Sequence, residues 1–454
     1  MISPVLRRAP VAAVVLLALS GCASFTPDGG AADVSALTRE RTGQPVALQR
    51  DAAGNAAPAA RVTTLLGQPL TPESAVEVAL LNHRGLQAAL AELGVADAER
   101  ARAALPPNPS LRFGRVSGGG VAEIDRSVMV SLLGLLTLPA ASDIANGQFE
   151  QARLQAALRA VDVATEARKA FYAAVAARQM LAYQEQVKAS ADASRELARR
   201  MREAGNFSRL AEMREQAFQA DAAAALTRAA HQSVAAQERL LRALGLDGSQ
   251  AALQLPERLP ELPNAPIERR DAERVALDQR LDVLMARHEA QLAARSLQLT
   301  RATRFINVLD LGVASKSTTG EATRRGYEVE LELPLFDFGS TRAARAQSLY
   351  LQALHRTAQI AIDARSEVRE AASAYRAAYE LARHYRDEVV PLRKRISEET
   401  LLRYNGMLAS VFELLADSRE QITAVTAAIE AQRDHWLAEA DLQAAVMARS
   451  PASR

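Results

Sequence analysis

The chain has 454 residues, with 55 Lys and Arg against 53 Asp and Glu and a formal charge of +2. That balance excludes a global positive field that would draw nucleic acid. Aromatic residues make up only 4%, Trp436 is the only Trp, and a single Cys excludes a disulfide framework within the chain.

Arg7 and Arg8 precede a short apolar run, Val11 to Leu19, which ends in Leu19-Ser20-Gly21-Cys22. Such a run reads as a secretory signal, too short to span a membrane as a helix. Its end resembles the lipobox of bacterial lipoproteins, which assigns 1–21 to a signal peptide and Cys22 to lipidation. Ala23 rather than Asp follows, which by the same resemblance directs the chain to the outer membrane. No other segment reaches ~20 consecutive apolar residues, so any membrane crossing falls to strands in a closed barrel. Residues 22–70, rich in Gly, Ala, Pro and Thr, read as an extended lipidated tether.

Thr71-Pro72-Glu73 opens a helix: Thr caps it, Pro occupies the first turn and Glu complements the dipole. The helix is expected to run to Leu105 and to stop at Pro106-Pro107-Asn108-Pro109. Two strands are expected next, Ser110 to Ser117 and Ile124 to Leu133, around Gly118-Gly119-Gly120. Leu132 to Leu138 is apolar throughout and fits helix or strand. A long helical pattern then runs from Ala140 to Ala204, and after Gly205 a return helix reaches Leu244 and Gly245. Residues 246–267 form a Pro-rich connector.

The second half begins with a helix from Glu268 to Thr303 and a strand from Phe305 to Ser315. In that strand Leu309, Leu311 and Val313 take one face, and Val308, Asp310, Gly312 and Ala314 the other. The clearest strand is Tyr327-Glu328-Val329-Glu330-Leu331-Glu332-Leu333. Its period of two needs water on the acidic face and apolar contact on the other, as in a transmembrane barrel or a half-buried soluble sheet. Pro334-Leu335-Phe336-Asp337-Phe338-Gly339 ends it, and Tyr327, Phe336 and Phe338 stand at its ends. A second long helix follows from Ser340 to Asn405, with a kink expected at Pro391. Gly406 turns the chain into a last helix ending near Ala448, and 449–454 is a short tail.

The two halves match without a gap at an offset of 201 residues. Asp162, Glu166 and Arg168 return as Asp363, Glu367 and Arg369, and Gly205 returns as Gly406. Around each Gly the spacing is Arg, two residues, Gly, four residues, an aliphatic, one residue and Glu. That matches Leu210 with Val411 and Glu212 with Glu413. Repeats of 71–245 and 268–448 follow. Long helices of this kind suit a helical tube or coiled coil. Four strands are too few to close a barrel, since the smallest single-chain barrels have about eight. Copies of the chain must pool them in a cyclic oligomer, and three copies would supply about twelve strands.

This pattern resembles the TolC-like outer-membrane efflux proteins, from about Thr71 to Ala448. The resemblance rests on the duplicated helix–strand–strand–helix–helix order, the Pro-Leu-Phe-Asp-x-Gly strand exit at Pro334 and the two Gly-centred turns. It implies a mainly α fold with a small β part: a homotrimer with a 12-stranded outer-membrane barrel and a periplasmic helical tube. It implies docking of a periplasmic adaptor protein and an inner-membrane efflux pump, the chain itself being a passive exit duct for small molecules. Carried over by residue, the docking tip is Gly205, Leu210 and Glu212 with Gly406, Val411 and Glu413, and Asp417 is an aperture candidate. Glu328, Glu330, Glu332 and Asp310 would line the pore. The first half departs from the pattern, with Leu135-Leu136-Thr137-Leu138-Pro139 where the second has its strand exit.

No Walker loop, nucleophile–base set or metal-ligand spacing stands out, so neither enzyme chemistry nor a cofactor or metal is expected. The six His are scattered, and the Met are dispersed like packing residues. The alternatives left open are an outer-membrane duct for protein secretion and a structural periplasmic coiled-coil lipoprotein without a pore.

Overall fold

A computed structural model describes residues 25–26, 28–50, 52–247, 253–267 and 271–449. The signal segment and Cys22 lie outside the described residues. In chain order the helices before the first strand are α1 (Ala31–Thr42), α2 (Ala52–Leu66), α3 (Pro72–Asn82) and α4 (Arg84–Ala103). Strands β1 (Ser110–Gly118) and β2 (Val121–Ser131) lead to α5 (Leu132–Glu203) and α6 (Arg209–Leu244). Next come α7 (Ala272–Gln279), α8 (Leu281–Thr303), β3 (Val308–Thr318) and β4 (Arg324–Glu332). Then follow α9 (Ser340–His384), α10 (Val390–Asn405) and α11 (Val411–Met447). Among the described residues no helix is long and apolar enough to cross a membrane.

The chain divides into two compact units. The first holds Leu90–Ala156, Leu284–Ile360 and the residues up to Asp33. Its strands form one antiparallel sheet in the order β1-β2-β3-β4. The second unit holds Val34–Ala89, Ala157–Val283 and Ala361–Arg454. Its buried positions are dominated by Ala, as at Ala157, Ala160, Ala164, Ala167 and Ala174 along α5. Small side chains at helical spacing let long helices approach closely, and Phe171 and Val175 fill the remaining space.

The stretch read as an extended tether is not extended. In the first unit the Thr26 amide and hydroxyl both donate to the Asp97 carboxylate at 2.9 Å. Burial pushes that carboxyl up, but hydrogen bonds from Arg100 and Thr26 hold it below the usual range. Gly30, at φ +81, lies so close to the Phe149 ring that a Cβ there would come within 2.8 Å of it. In the second unit α1 buries Val34 and Thr38, and Arg41 Nη2 donates to the Gln279 carbonyl at 2.9 Å. Composition favoured a tether, but Val34, Val46, Val62, Leu65 and Leu70 of this stretch are buried.

Two helices expected to be continuous are broken. Thr71 caps α3 as expected, its hydroxyl accepting from the Ser74 amide at 3.1 Å. The helix then stops at His83, whose ψ of 111° is extended. The matching break in the second half is Arg280, with ψ 127°. Arg280 is 1% exposed, pairs with Asp282 at 2.8 Å and with Glu367, and donates to the Ala445 carbonyl at 3.1 Å. A buried guanidinium needs all those partners, and the break aims it at them.

The Pro-rich connector is held as a strap against the helices of the second unit. Tyr379 Oη donates to the Pro263 carbonyl, and Trp436 Nε1 and Gln432 Nε2 both donate to the Pro260 carbonyl. The Ile267 amide donates to Tyr375 Oη at 3.0 Å. His435 lies fully buried against Tyr375, Tyr379 and Trp436, and burial lowers its pKa to about 4.

At Pro391 the irregularity is a π-turn, Tyr385–Val389, in which the Val390 amide reaches back to the Tyr385 carbonyl. Widening the turn there accommodates the proline ring that follows. The ambiguous stretch after β2 is helical from Leu132, with Pro139 inside α5.

Candidate functional site: the curved sheet and the helical turns

The sheet sorts its side chains by strand register. Leu111 faces Val128, Val128 faces Val313, and Val313 faces Tyr327. Directly opposed residues share a face, so Leu111, Phe113, Val128, Val130, Leu309, Leu311, Val313, Tyr327, Val329 and Leu331 form one apolar surface. It is turned outward: Leu111 and Tyr327 are each 83% exposed, and Val313 65%. The opposite face carries Arg112, Glu123, Asp125, Ser127, Asp310, Lys316, Glu328, Glu330 and Glu332.

The polar face is the concave one. Arg112 on β1 reaches Glu328 on β4 at 3.5 Å. In a flat sheet the first and fourth strands would be roughly 14 Å apart. On this face Ser127 and Met129 are buried. A Cβ on Gly312 would come within 2.3 Å of Met129 Sδ and the Val128 carbonyl oxygen. Side chains crowd on the inside of a curve and spread on the outside, which sets where Gly is required. Asp310 stands directly opposite Glu330, with Gly312 opposite Glu328 and Val308 opposite Glu332. The four acidic residues proposed from the sequence therefore share one surface. Lys316 pairs there with Glu123. Strand boundaries moved by a few residues, and at the hairpin between β3 and β4 both strands extend beyond the apolar alternation. β1 and β4 remain open edges.

The helical turns belong to the second unit. Gly205 takes φ +76, and the Asn206 amide donates to the Met201 carbonyl at 2.9 Å, the pattern of a left-handed helix end. Ser208 then caps α6 by accepting from the Ala211 amide at 3.1 Å. In the other turn Gly406 has φ −81, and the left-handed residue is Met407 at φ +59. The Leu408 amide donates to the Arg403 carbonyl at 2.8 Å, and Ser410 caps α11 by accepting from the Glu413 amide at 3.3 Å. Every one of these features repeats at an offset of 202 residues, one more than the sequence match. The geometric partners are Gly205 with Met407, Leu210 with Phe412, Glu212 with Leu414 and Glu215 with Asp417.

That slip changes which residues of the two turns are geometric equivalents. Gly205, Leu210, Gly406 and Glu413 are exposed, but Glu212 and Val411 are 7% and 6% exposed and turn inward. Glu212 pairs with Arg202, and Val411 packs with Ala198, Phe207 and Ala211. Two buried side chains cannot offer a contact to a partner protein without rearrangement. The structure brings the turns together: the Phe207 and Phe412 rings stack with centroids 4.9 Å apart. Glu215, 4% exposed, accepts from Arg419 at 2.6 Å and so ties α6 to α11. Asp417 accepts a hydrogen bond from the Thr400 hydroxyl. Met407 and Leu408, 94% and 82% exposed, went unnoticed as surface features of the second turn. The matched Ser208 and Ser410 caps were the signal that could have revealed the true register. Among the described residues no group of three His, Cys, Asp or Glu could hold a metal ion.

No protein-family model and no curated protein sequence matches the chain. Solved structures do. The chain is similar to CusC, studied for transmembrane channel formation, with a TM-score of 0.71 over 83% of this chain and 92% of that chain at 14% identity. This is the fold of the outer-membrane channels, the TolC-like fold. The outer-membrane channel OprN matches it with a TM-score of 0.70 at 20% identity, over 83% of this chain and 89% of OprN. The open-state MtrE outer membrane channel of Neisseria gonorrhoeae matches with 0.69 at 17%, over 86% and 89%.

Proposed function

We propose that the chain is the outer-membrane exit duct of a tripartite efflux system, lipidated at Cys22 and extending into the periplasm. The observation that carries this reading is the four-stranded sheet, polar on its concave face, apolar on its exposed convex face and unpaired at both edges. Lipid offers no partner to a free strand edge, so the sheet must close with others. Three copies, β4 of one pairing with β1 of the next, make a ring of about twelve strands. Asp310, Glu328, Glu330 and Glu332 then line the water path and favour cations. The recurrence of the element order supports a duplicated unit, 71–245 and 268–448, that builds the tube twice per chain.

The duct supplies a sealed path, and its energy comes from an inner-membrane pump through a periplasmic adaptor. Gly205, Leu210, Gly406, Met407 and Glu413 present the turn surface to that adaptor, and the Glu215–Arg419 and Thr400–Asp417 contacts set how the two hairpins sit before docking. Drugs and heavy-metal ions are the cargo classes this reading covers. Conductance of the purified full-length protein in planar bilayers, with its mass in detergent, tests it. Discrete channel steps from a trimer are expected. A water-soluble monomer without conductance overturns the reading.

A further inference from the structure

Three arginines sit on the convex face of the sheet, at the end of the apolar surface nearest the hairpin loops. Phe113 faces Arg126, Arg126 faces Ser315, and Ser315 faces Arg325, so Arg126 and Arg325 occupy one row. Two residues further along β1, Arg115 faces Ile124. The row on the helix side of Arg126 is Leu111, Val128, Val313 and Tyr327, all apolar or aromatic. Arg126 and Arg325 stand two strands apart, roughly 10 Å, with Arg115 one step beyond. All three are exposed.

The other cationic side chains of the sheet behave differently. On the concave face Arg112 pairs with Glu328, Lys316 with Glu123 and Arg324 with Glu321. Arg115, Arg126 and Arg325 have no acidic residue on their own face among the described strands. Three guanidiniums without a counter-charge, set in a band where an apolar surface ends, match the charge of a phosphate-bearing head group whose acyl chains lie against that surface.

We propose that Arg115, Arg126 and Arg325 form a binding site for the phosphate groups of an anionic lipid in the membrane leaflet at the hairpin end. The inference rests on the sheet spanning a membrane. The apolar rows hold the acyl chains and the arginines fix the head group, so the lipid sets how deep the sheet sits. Closing the sheet with further copies repeats the band around the wall.

The test uses the full-length protein in neutral detergent and titrates fluorescently labelled diphosphoryl lipid A against its dephosphorylated form. The wild type is expected to bind the phosphorylated lipid at least about tenfold more tightly, with the preference weakened by salt. The triple variant R115Q/R126Q/R325Q is expected to lose most of that preference, and R115K/R126K/R325K to keep most of it. If the triple Gln variant does not fold, each single Gln substitution is expected to weaken binding about three- to fivefold. Equal binding of both lipids by the wild type overturns the proposal, as does an unchanged preference in the Gln variants. Displacement by millimolar inorganic phosphate overturns the assignment to a lipid. A protein that inserts and conducts in neutral bilayers yet shows no phosphate preference overturns the arginine site alone. One that never inserts overturns the membrane reading and the site with it.

Discussion

The turn at Gly205 and the turn at Met407 end long helices in the same way with different residues. Both close with a bond from the third residue after the helix back to its last turn, and both hand over to a Ser cap. The first uses glycine at positive φ, where no Cβ penalty exists. The second places methionine there, at φ +59, and leaves its side chain 94% exposed. The left-handed conformation costs energy there, and burial of the side chain does not offset it. The first turn buries Phe207 at 8% exposed and leaves Leu210 at 60%, whereas the second shows Met407, Leu408 and half of Phe412 to solvent. On the proposed reading, the first turn is the support and the second the contact surface.

The asymmetry is sharpest at the paired carboxylates. Arg419→Met leaves the buried Glu215 carboxylate without its partner, and a loss of about 3 kcal/mol in local stability is expected. Hydrogen-exchange protection of the α6 and α11 amides reads it, and adding Glu215→Gln should restore part of the loss. Thr400→Val, which removes the donor to half-buried Asp417, should cost only about 1 kcal/mol by the same measurement. Equal effects would show that the two hairpins are held alike.

Next in size, Phe207→Ala should cost about 3 kcal/mol and loosen both turns, because its ring is buried and stacked on Phe412. Phe412→Ala should cost less, since that ring is 48% exposed. Slow proteolysis at the turns, followed by mass, ranks the two variants. If Phe412→Ala proved the more disruptive, the second turn would be the support.

Smaller effects of opposite sign are expected at the left-handed residues. Gly205→Ala should destabilise its turn by about 1 kcal/mol, and Met407→Gly should stabilise the other by a similar amount. Amide exchange at Asn206 and Leu408 checks both. If Met407→Gly also impairs adaptor binding, the exposed methionine is part of the contact. Last, Ser208→Ala should cost about 1 kcal/mol and Ser410→Ala somewhat less, because the Ser208 cap is shorter, 3.1 against 3.3 Å.

Much of the fold was legible in local pattern. The alternation of Val329, Leu331 and Leu333 against Glu328, Glu330 and Glu332 identifies a two-faced strand because side-chain direction alternates whatever surrounds it. Thr71-Pro72 marks a helix start and Gly205 a helix end for equally local reasons. The shared face of Asp310, Glu328, Glu330 and Glu332 was legible too, since it needs only the register of one hairpin. The one-residue slip between the turns was not. The gapless match of Arg, Gly and Glu was a true feature of the sequence, but helix ends follow hydrogen bonds that a residue on either side can close.

What the sequence determined by itself is therefore the order of the strands and long helices after residue 71 and the two faces of β3 and β4. These depend on backbone geometry, chain stereochemistry and solvent preference at neighbouring positions. Tertiary structure decided the rest. The sheet curves toward its polar face, so that Arg112 meets Glu328 across strands far apart in sequence. Arg280 breaks a helix to reach Glu367 and the Ala445 carbonyl, and Thr26 and Arg41 bond to helices that follow them. Glu212 and Val411 turn inward. Each of these rests on the balance between desolvating a side chain and the partners that distant residues bring to it, and no local window of sequence contains those partners.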